Sequence, residues 1–468
     1  MSNSFHLQPD ACRRARLARD SRFDGLFFIA VKTTGIYCRP VCPASPPKEA
    51  NVDYFPSALA ASQQGYRPCL RCRPESAPGS PAWQGTHTTL TRAIKLIDAG
   101  HWQQQSLAQF CQRLGVGERH LRQLFRDELG MSPQAYRNFR RLMLAKQLLH
   151  QTRLPIADIA ASVGFGSVRR FNAAFKELIT LAPGQVRRTG KSVGETTEKT
   201  QLFLSYRPPY NWPWLQRFLS QRAIEGLEEV SPDSYQRTLH LPNASGLFVA
   251  RHNAEKNGFD VTLWLQDETD LPAAVATIRR LLDLDADRAA IDRHLCRCAA
   301  MSKGYLPGIP LPGMATAFEA GVRAILGQQV SVAAARKLVA ALVNNLGGTL
   351  PGGERMFPLP QAVADSILDF LAMPGSRRDT LKRFASALAQ NPEMSPQEWL
   401  AIKGIGPWTV DYATMRLGDP DIWLGSDLGV RKGLAMLEGE PNPESWAPWR
   451  SYASLQMWQR LALPNQED

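Results

Sequence analysis

The chain holds no apolar run long enough to cross a bilayer as a helix, which excludes a helical membrane span. Its first twenty residues are polar and arginine-rich and lack the apolar stretch of a secretory leader, so a cytoplasmic location is expected. Histidine is scarce, 8 in 468 residues, and none lies between Cys38 and Cys72. Acidic residues are few in the front of the chain. Residues 1–80 hold 11 Lys and Arg against 6 Asp and Glu, a charge of +5, and residues 81–190 hold 16 against 6, a charge of +10. Residues 191–468 hold 28 against 31, so the formal +12 of the chain belongs to its first part. That is the electrostatic footprint of a nucleic-acid binder in front. Behind it, any contact with nucleic acid must use local geometry rather than bulk charge. Low-complexity sequence is confined to residues 189–200 (TGKSVGETTEKT), which read as a flexible linker. The length suits about three or four domains, and a hydrophobic content of 44% is enough for several cores.

What the front part does have is four cysteines in two close pairs, Cys38-Arg-Pro-Val-Cys42 and Cys69-Leu-Arg-Cys72. In a reducing compartment such pairs serve metal rather than disulfides. With no histidine nearby, a tetrahedral four-thiolate zinc site is favoured. Four unrelated thiols, two pairs with redox roles, or a purely structural zinc are the plainer alternatives. Cys12, Cys111, Cys296 and Cys298 stand outside this pattern and read as structural or incidental.

Residues 81–188 read as helices with glycine punctuation. Ser106-Leu-Ala-Gln109 is a capping-box pattern before a helix that Gly115 ends. A second short helix follows, with Leu121, Leu124, Phe125 and Leu129 inward and Arg119, His120, Arg122 and Arg126 outward. The pattern then returns: Pro155 opens a helix in its first turn, Val163-Gly-Phe-Gly166 is the turn, and Ser167 caps the next helix. That last helix carries Arg169, Arg170, Asn172 and Lys176. Each pair is a helix-turn-helix unit, joined by a longer helix from Pro133 to about His150. Arg and Asn suit base edges in a major groove, with plain phosphate contact as the alternative.

Residues 201–266 alternate as strands do, with one helix over Pro213 to Gln221, and from Leu271 onward helices dominate. Leu400-Ala-Ile-Lys-Gly404-Ile-Gly406-Pro-Trp408-Thr-Val-Asp-Tyr412 predicts a helix, a tight glycine hairpin and a second helix. Amides at such a hairpin can grip a phosphate. Asp427 follows in Leu424-Gly-Ser-Asp427-Leu-Gly-Val-Arg431.

These motifs carry three resemblances. Thr33-Thr-Gly-Ile-Tyr-Cys38-Arg-Pro40 and Gly65-Tyr-Arg-Pro-Cys69 resemble the amino-terminal domain of the bacterial Ada family over about residues 10–76. The resemblance implies that Cys38 is both a zinc ligand and the acceptor of a methyl group from a methylated DNA phosphate. Methylation would change a four-thiolate zinc centre from −2 to −1 and so switch its affinity for DNA. Residues 88–188 resemble the AraC family of transcription regulators, which implies that Arg119, Arg122, Arg169, Arg170 and Asn172 face DNA.

Residues 201–463 resemble helix-hairpin-helix base-excision glycosylases of the AlkA type. Besides the hairpin, Gly321-Val-Arg-Ala-Ile-Leu-Gly-Gln328, Pro448-Trp-Arg-Ser-Tyr-Ala453 and Arg207-Pro-Pro-Tyr-Asn-Trp212 carry it. It implies Asp427 as catalytic carboxylate, Trp408, Tyr412, Trp458 and Phe218 as pocket aromatics, and Gly404, Gly406 and Thr409 on the DNA backbone. The family's apolar wedge corresponds to Gln329. The lysine that lets related enzymes also cut the backbone corresponds to Trp408, so a monofunctional enzyme is expected. No Pro-Cys-His occurs, so the second methyltransferase segment of full-length Ada is not expected.

The expected architecture is multidomain α+β. A small zinc-binding α/β domain occupies 1–80, an all-α double helix-turn-helix domain 81–188 and a linker 189–200. An antiparallel-sheet domain with helices follows at 201–287, and an all-α helix-hairpin-helix glycosylase core at 288–468. The expected partners are one zinc ion with structural and catalytic roles, double-stranded DNA, both damaged and promoter, and RNA polymerase, with the chain a monomer. Two rivals stay open: a methyl-sensing regulator whose rear half binds damage without catalysis, and a repair enzyme whose front half only localises it.

Overall fold

The computed structural model describes residues 9–19, 23, 27–42, 44–56, 58–69, 71–72, 74, 88–98, 102, 105–152, 154–189, 199–439 and 441–462. Most of the expected linker, 190–198, lies outside them. The chain divides into two compact units, Met1–Glu195 with Leu271–Ala273, and Thr196–Asp270 with Ala274–Asp468.

The first unit opens with helix α1 (Pro9–Leu17), strands β1 (Phe28–Val31), β2 (Ile36–Cys38) and β3 (Val52–Phe55), helix α2 (Ala58–Gln63) and strand β4 (Arg67–Pro68). They form a four-stranded sheet in the order β3-β1-β2-β4. Gly35, at φ +62°, turns β1 into β2. The pair β2 and β4 is parallel, with Tyr37 opposite Pro68. Arg16 pins α1 to this sheet: its guanidinium meets the Glu49 carboxylate, donates to Pro47 O at 3.0 Å and to the Tyr54 hydroxyl at 3.3 Å.

Seven helices follow: α3 (Thr88–Asp98), α4 (Leu107–Leu114), α5 (Glu118–Leu129), α6 (Pro133–Gln151), α7 (Ile156–Ser162), α8 (Val168–Ile179) and α9 (Pro183–Thr189). Their boundaries are set by the residues the sequence marks. The Ser106–Gln109 capping box is complete, Gly115 and Gly130 take left-handed C-caps, and Ser132 and Ser167 accept from the third amide of α6 and α8. Pro155 stands at the N-cap of α7, one residue before the expected first turn, because its extended backbone precedes the helix. Leu121, Phe125 and Leu129 turn inward onto Phe110, Cys111 and Leu114, so Cys111 is a core residue.

The second unit begins with strand β5 (Thr200–Ser205), helix α10 (Trp212–Ser220) and strands β6 (Glu228–Val230), β7 (Ser234–His240), β8 (Ser245–Asn253) and β9 (Gly258–Leu265). All its pairs are antiparallel, in the order β5-β9-β8-β7-β6. Then come α11 (Leu271–Leu281), α12 (Arg288–Leu295), α13 (Ala299–Ser302), α14 (Ala317–Gly327), α15 (Val332–Leu346), α16 (Pro360–Asp365), α17 (Gly375–Gln390), α18 (Pro407–Arg416), α19 (Leu428–Ala435) and α20 (Arg450–Ala462). The helix expected before the glycine hairpin is a short 3-10 segment, Pro396–Ala401, closed by Ile402 in extended backbone. Its capping box, Ser395 with Glu398, leaves room for fewer than two α-turns before the hairpin. Among the described residues no helix is long and apolar enough to cross a membrane.

A buried ring of charge ties the sheet to α14. Arg237 on β7 donates to Glu228 at 2.9 Å and meets Glu319. Arg323 donates to Glu228 at 2.7 Å and to Glu319 at 2.8 Å. Burial pushes the Glu228 carboxyl up, but Arg323 and Arg237 outweigh it and hold it at about 2. Removing one cation leaves two buried carboxylates sharing Arg323 alone, so Arg237→Met should destabilise this unit by about 3–5 kcal/mol in urea unfolding. A depressed carboxyl stabilises the fold above its unfolded value. Stability should therefore fall with acid as pH drops from about 4.5 toward about 2.

Candidate functional site

The sheet register assembles the four cysteines. Cys38 ends β2 and Cys69 directly follows β4, its amide donating to Tyr37 O at 2.9 Å. Cys42 comes round on a turn, donating to Arg39 O at 3.1 Å, and the Arg39 amide donates to Cys72 Sγ at 3.4 Å. The four sulfurs lie within 4.8 Å of one another. Sulfurs at about 2.3 Å from a tetrahedral zinc stand about 3.8 Å apart, so the arrangement fits the ion. Four thiols this close share protons. Hydrogen bonding from Cys38 pulls Cys42 down to about 7, while Cys42 and Cys69 push Cys38 up. Cys38 and Cys42 are half-buried.

In the second unit two helices each carry an aromatic–aromatic–arginine stripe at spacing four, which puts each stripe on one helix face. On α18 it is Trp408, Tyr412 and Arg416. Along α10 and the turn after it runs Trp214, Phe218 and Arg222. The Trp408 and Tyr412 rings stack at 5.4 Å and 23°, and Trp214 and Phe218 at 5.4 Å and 24°. Trp458 on α20 joins them, 6.4 Å from both Phe218 and Tyr412. Arg416 donates to the Tyr412 hydroxyl at 2.6 Å, and Arg222 lies 3.8 Å over the Phe218 ring. Burial, then the neighbouring Arg416 and Arg323, lowers Arg222 to about 10.

Asp427 bonds two rings of this cluster. It is the N-cap of α19 and accepts from the Val430 amide at 3.0 Å. The same Oδ1 accepts from Trp458 Nε1 at 2.9 Å, and Oδ2 accepts from Trp408 Nε1 at 3.1 Å. Gly429 and Gly433 make this possible. A Cβ on Gly429 would lie 3.0 Å from the Trp458 ring, and one on Gly433 would lie 2.3 Å from Met457 O. From the start of α20, Arg450 grips Asp421 at 2.8 Å, while Ser451 and Ser454 accept from the amides of Ile422 and Leu424. These contacts hold the loop that leads to Asp427.

The hairpin abuts the pocket. Gly404 is left-handed at φ +97°, and a Cβ there would strike Thr380 at 2.0 Å. Gly406 is the N-cap of α18, and among the described residues the amides of Gly404, Gly406 and Trp408 have no protein acceptor. Thr409 corrects the sequence expectation of a DNA contact: it is 1% exposed, its hydroxyl is taken by Gln328 at 2.9 Å and its amide by Gly406 O. Gln329, at the turn from α14 to α15, is exposed.

Arg119 and Arg122 on α5, and Arg169, Arg170 and Asn172 on α8, are all exposed. Arg122 is paired to Glu118 at 2.7 Å.

Comparison with known proteins fits this geometry. Residues 11–75 match the metal binding domain of Ada, 110–189 a helix-turn-helix domain and 201–316 the AlkA N-terminal domain. Over 98% of both chains the protein is 35% identical to a probable bifunctional transcriptional activator/DNA repair enzyme AlkA of Mycobacterium tuberculosis. The chain belongs to this AlkA-type family of bifunctional transcriptional activator/DNA repair enzymes. DNA-3-methyladenine glycosylase 2 of Escherichia coli matches 54% of this chain and 95% of its own length at 32% identity. Bifunctional transcriptional activator/DNA repair enzyme AdaA of Bacillus subtilis matches 41% of this chain and 88% of its own length, also at 32%. The Ada-type metal domain and its clustered cysteines make the front of the chain a zinc-binding segment.

Sequence reasoning missed Arg222 and Arg416. Their signal was present, since each lies four residues beyond a pocket aromatic. It also missed Gln328, which ties the turn between α14 and α15 to the hairpin.

The zinc fit has a direct check. The purified chain should carry zinc by atomic absorption. Cys72→Ala should lose it at chelator concentrations the parent withstands and should unfold the front domain at lower temperature. Equal retention by the variant would count against the cluster.

Proposed function

We propose that the protein repairs alkylated DNA in two chemically separate ways and reports the damage as a regulator. Residues 1–80 form the methyl acceptor, 81–188 the promoter reader, and 201–287 with 288–468 the glycosylase. The observation that carries the second activity is Asp427, a carboxylate aimed by two indole N–H groups at the rings that would hold the base.

For base excision, the flipped base enters among Trp408, Tyr412, Trp458 and Phe218. A purine methylated on a ring nitrogen is cationic and a good leaving group, and it stacks on electron-rich faces. As the glycosidic bond breaks, positive charge grows on the sugar. The Asp427 carboxylate, already fixed by three N–H donors, stabilises that charge without reorganising. The amides at Gly404, Gly406 and Trp408 hold a backbone phosphate, aided by the N-terminus of α18. The position of a lyase lysine is Trp408, so no Schiff base forms there. The reading is monofunctional excision of bases such as 3-methyladenine.

For methyl transfer, Cys38 is the acceptor. Cys38, Cys42, Cys69 and Cys72 would hold a zinc ion, which would keep the sulfurs deprotonated at neutral pH. The Cys38 sulfur attacks the methyl carbon, an S–C bond forms, the O–C bond breaks, and the electron pair leaves on the phosphate oxygen as a diester. The centre gives up one negative charge beside a helix-turn-helix segment of +10, which raises affinity for DNA. Arg119, Arg122, Arg169, Arg170 and Asn172 then meet the promoter, and RNA polymerase is the partner that activation requires. One chain carries every site, so no second copy is invoked.

Two substitutions should dissociate the activities. Asp427→Asn should lower 3-methyladenine release by about a hundredfold or more, the scale of losing one such electrostatic group. It should leave methyl uptake by Cys38 intact. Cys38→Ala should do the reverse, with methylation followed by mass mapping. Near-normal base release by Asp427→Asn would instead favour a rear half that binds damage without catalysis.

A further inference from the structure

Helix α19 directly follows Asp427, and its two faces carry different chemistry. Val430 and Gly433 are buried, and Gly433 lies so close to α20 that an added Cβ would meet Met457 O at 2.3 Å. The opposite face carries Leu428, Arg431, Lys432, Ala435 and the C-cap Met436, all exposed. Steps of three, four, seven and eight residues from Leu428 put them on one side of the helix. Leu428 is 64% exposed and Met436 49%.

The acids that flank this face are engaged elsewhere. Asp427 accepts from Val430, Trp408 and Trp458, and Glu438 meets Lys303. Among the described residues neither Arg431 nor Lys432 has an acidic partner. Residues 191–468 hold more acids than bases, 31 against 28, and Arg251, Arg279 and Arg450 in this unit are each paired. Two adjacent unpaired cations between two bare apolar side chains suit a polyanion with apolar carbons between its charges. A DNA strand has that composition, since its phosphates alternate with deoxyribose rings. Position and length agree. Leu428 adjoins Asp427, so the face begins where the site ends. From Leu428 to Met436 the chain rises about 12 Å at roughly 1.5 Å per residue. That is the axial length of roughly three or four nucleotides.

We propose that the outer face of α19 is a second binding surface for the DNA strand, apart from the glycine hairpin. Arg431 and Lys432 hold phosphates beside the flipped nucleotide, and Leu428 and Met436 pack on the adjoining sugars. The packing on α20 that fixes Asp427 fixes this surface too, so gripping the strand and aiming the carboxylate are one placement. This rests on the glycosylase reading of the site.

The test uses full-length protein and two measurements. One is the protein concentration that half-saturates single-turnover release of 3-methyladenine. The other is affinity for a duplex with a tetrahydrofuran abasic analogue, in excess unmodified duplex. Arg431→Gln combined with Lys432→Gln should weaken both by about five- to tenfold, the worth of two exposed ion pairs. It should also flatten the slope of log affinity against log salt by about 1.8. The maximal release rate should stay within twofold of the parent's. Leu428→Ser should weaken binding with the slope unchanged, because it removes no charge. All these side chains are exposed, so urea midpoints should match the parent's. Both measurements within twofold of the parent, with an unchanged slope, overturn the proposal. So does a parent that sediments as a dimer beside a charge variant that sediments as a monomer, which would give the face to a second copy. A parent that releases no 3-methyladenine, with the variant's loss of abasic-duplex affinity intact, would count against the glycosylase reading and support the surface.

Discussion

The rear half of the molecule is organised around one carboxylate held by three N–H groups. Two of them, on Trp408 and Trp458, are indoles whose rings also belong to the aromatic cluster. The cluster and the charge therefore cannot be placed independently. Whatever fixes the two rings also fixes Asp427, and the third donor, the Val430 amide, comes from the helix that Asp427 itself caps. That shared placement explains why distant motifs belong together. Gly429 and Gly433 let α19 lie directly on α20, and Arg450, Ser451 and Ser454 fasten the loop before Asp427. These residues need not touch substrate. Under the proposed function their work is preorganisation, which is where most of an electrostatic catalyst's advantage lies.

The front half solves a different problem with different means. A parallel pairing of two very short strands brings Cys38 and Cys69 side by side, and two turns supply the remaining sulfurs. Here the chain concentrates positive charge, whereas residues 191–468 are slightly negative. A regulator that must find a promoter benefits from a long-range field. A pocket that must discriminate one base benefits from shape and a fixed dipole. The division of charge along the chain matches that division of labour.

Much of this was legible from residue types whose local physics is strong. Paired cysteines, Ser106, Gly115 and Ser167 mark a metal cluster and helix ends because thiol chemistry and capping act within a few residues. Asp427 and its aromatics were legible only through motif resemblance, since nothing local brings Trp408 to Trp458. Thr409 shows the limit of such transfer: its hydroxyl turns inward to Gln328. The first hairpin segment, expected as a helix, is instead a short 3-10 segment that Ile402 closes in extended backbone. The Arg237–Glu228–Arg323–Glu319 ring was invisible, because its members come from two strands and a helix up to 95 residues apart in sequence.

The central claim is that Asp427 is the reaction centre and that the indoles serve it by hydrogen bonding, not only by stacking. Single-turnover release of 3-methyladenine by protein carrying benzothienylalanine in place of Trp458 tests this directly, because that analogue keeps a fused aromatic ring of the same shape and removes the N–H donor to Asp427. A hydrogen bond to a charged group is worth about 1.5–3 kcal/mol. The account predicts a chemical step about ten- to a hundredfold slower, with affinity for an abasic-analogue duplex unchanged within twofold. A rate equal to the parent's would contradict it.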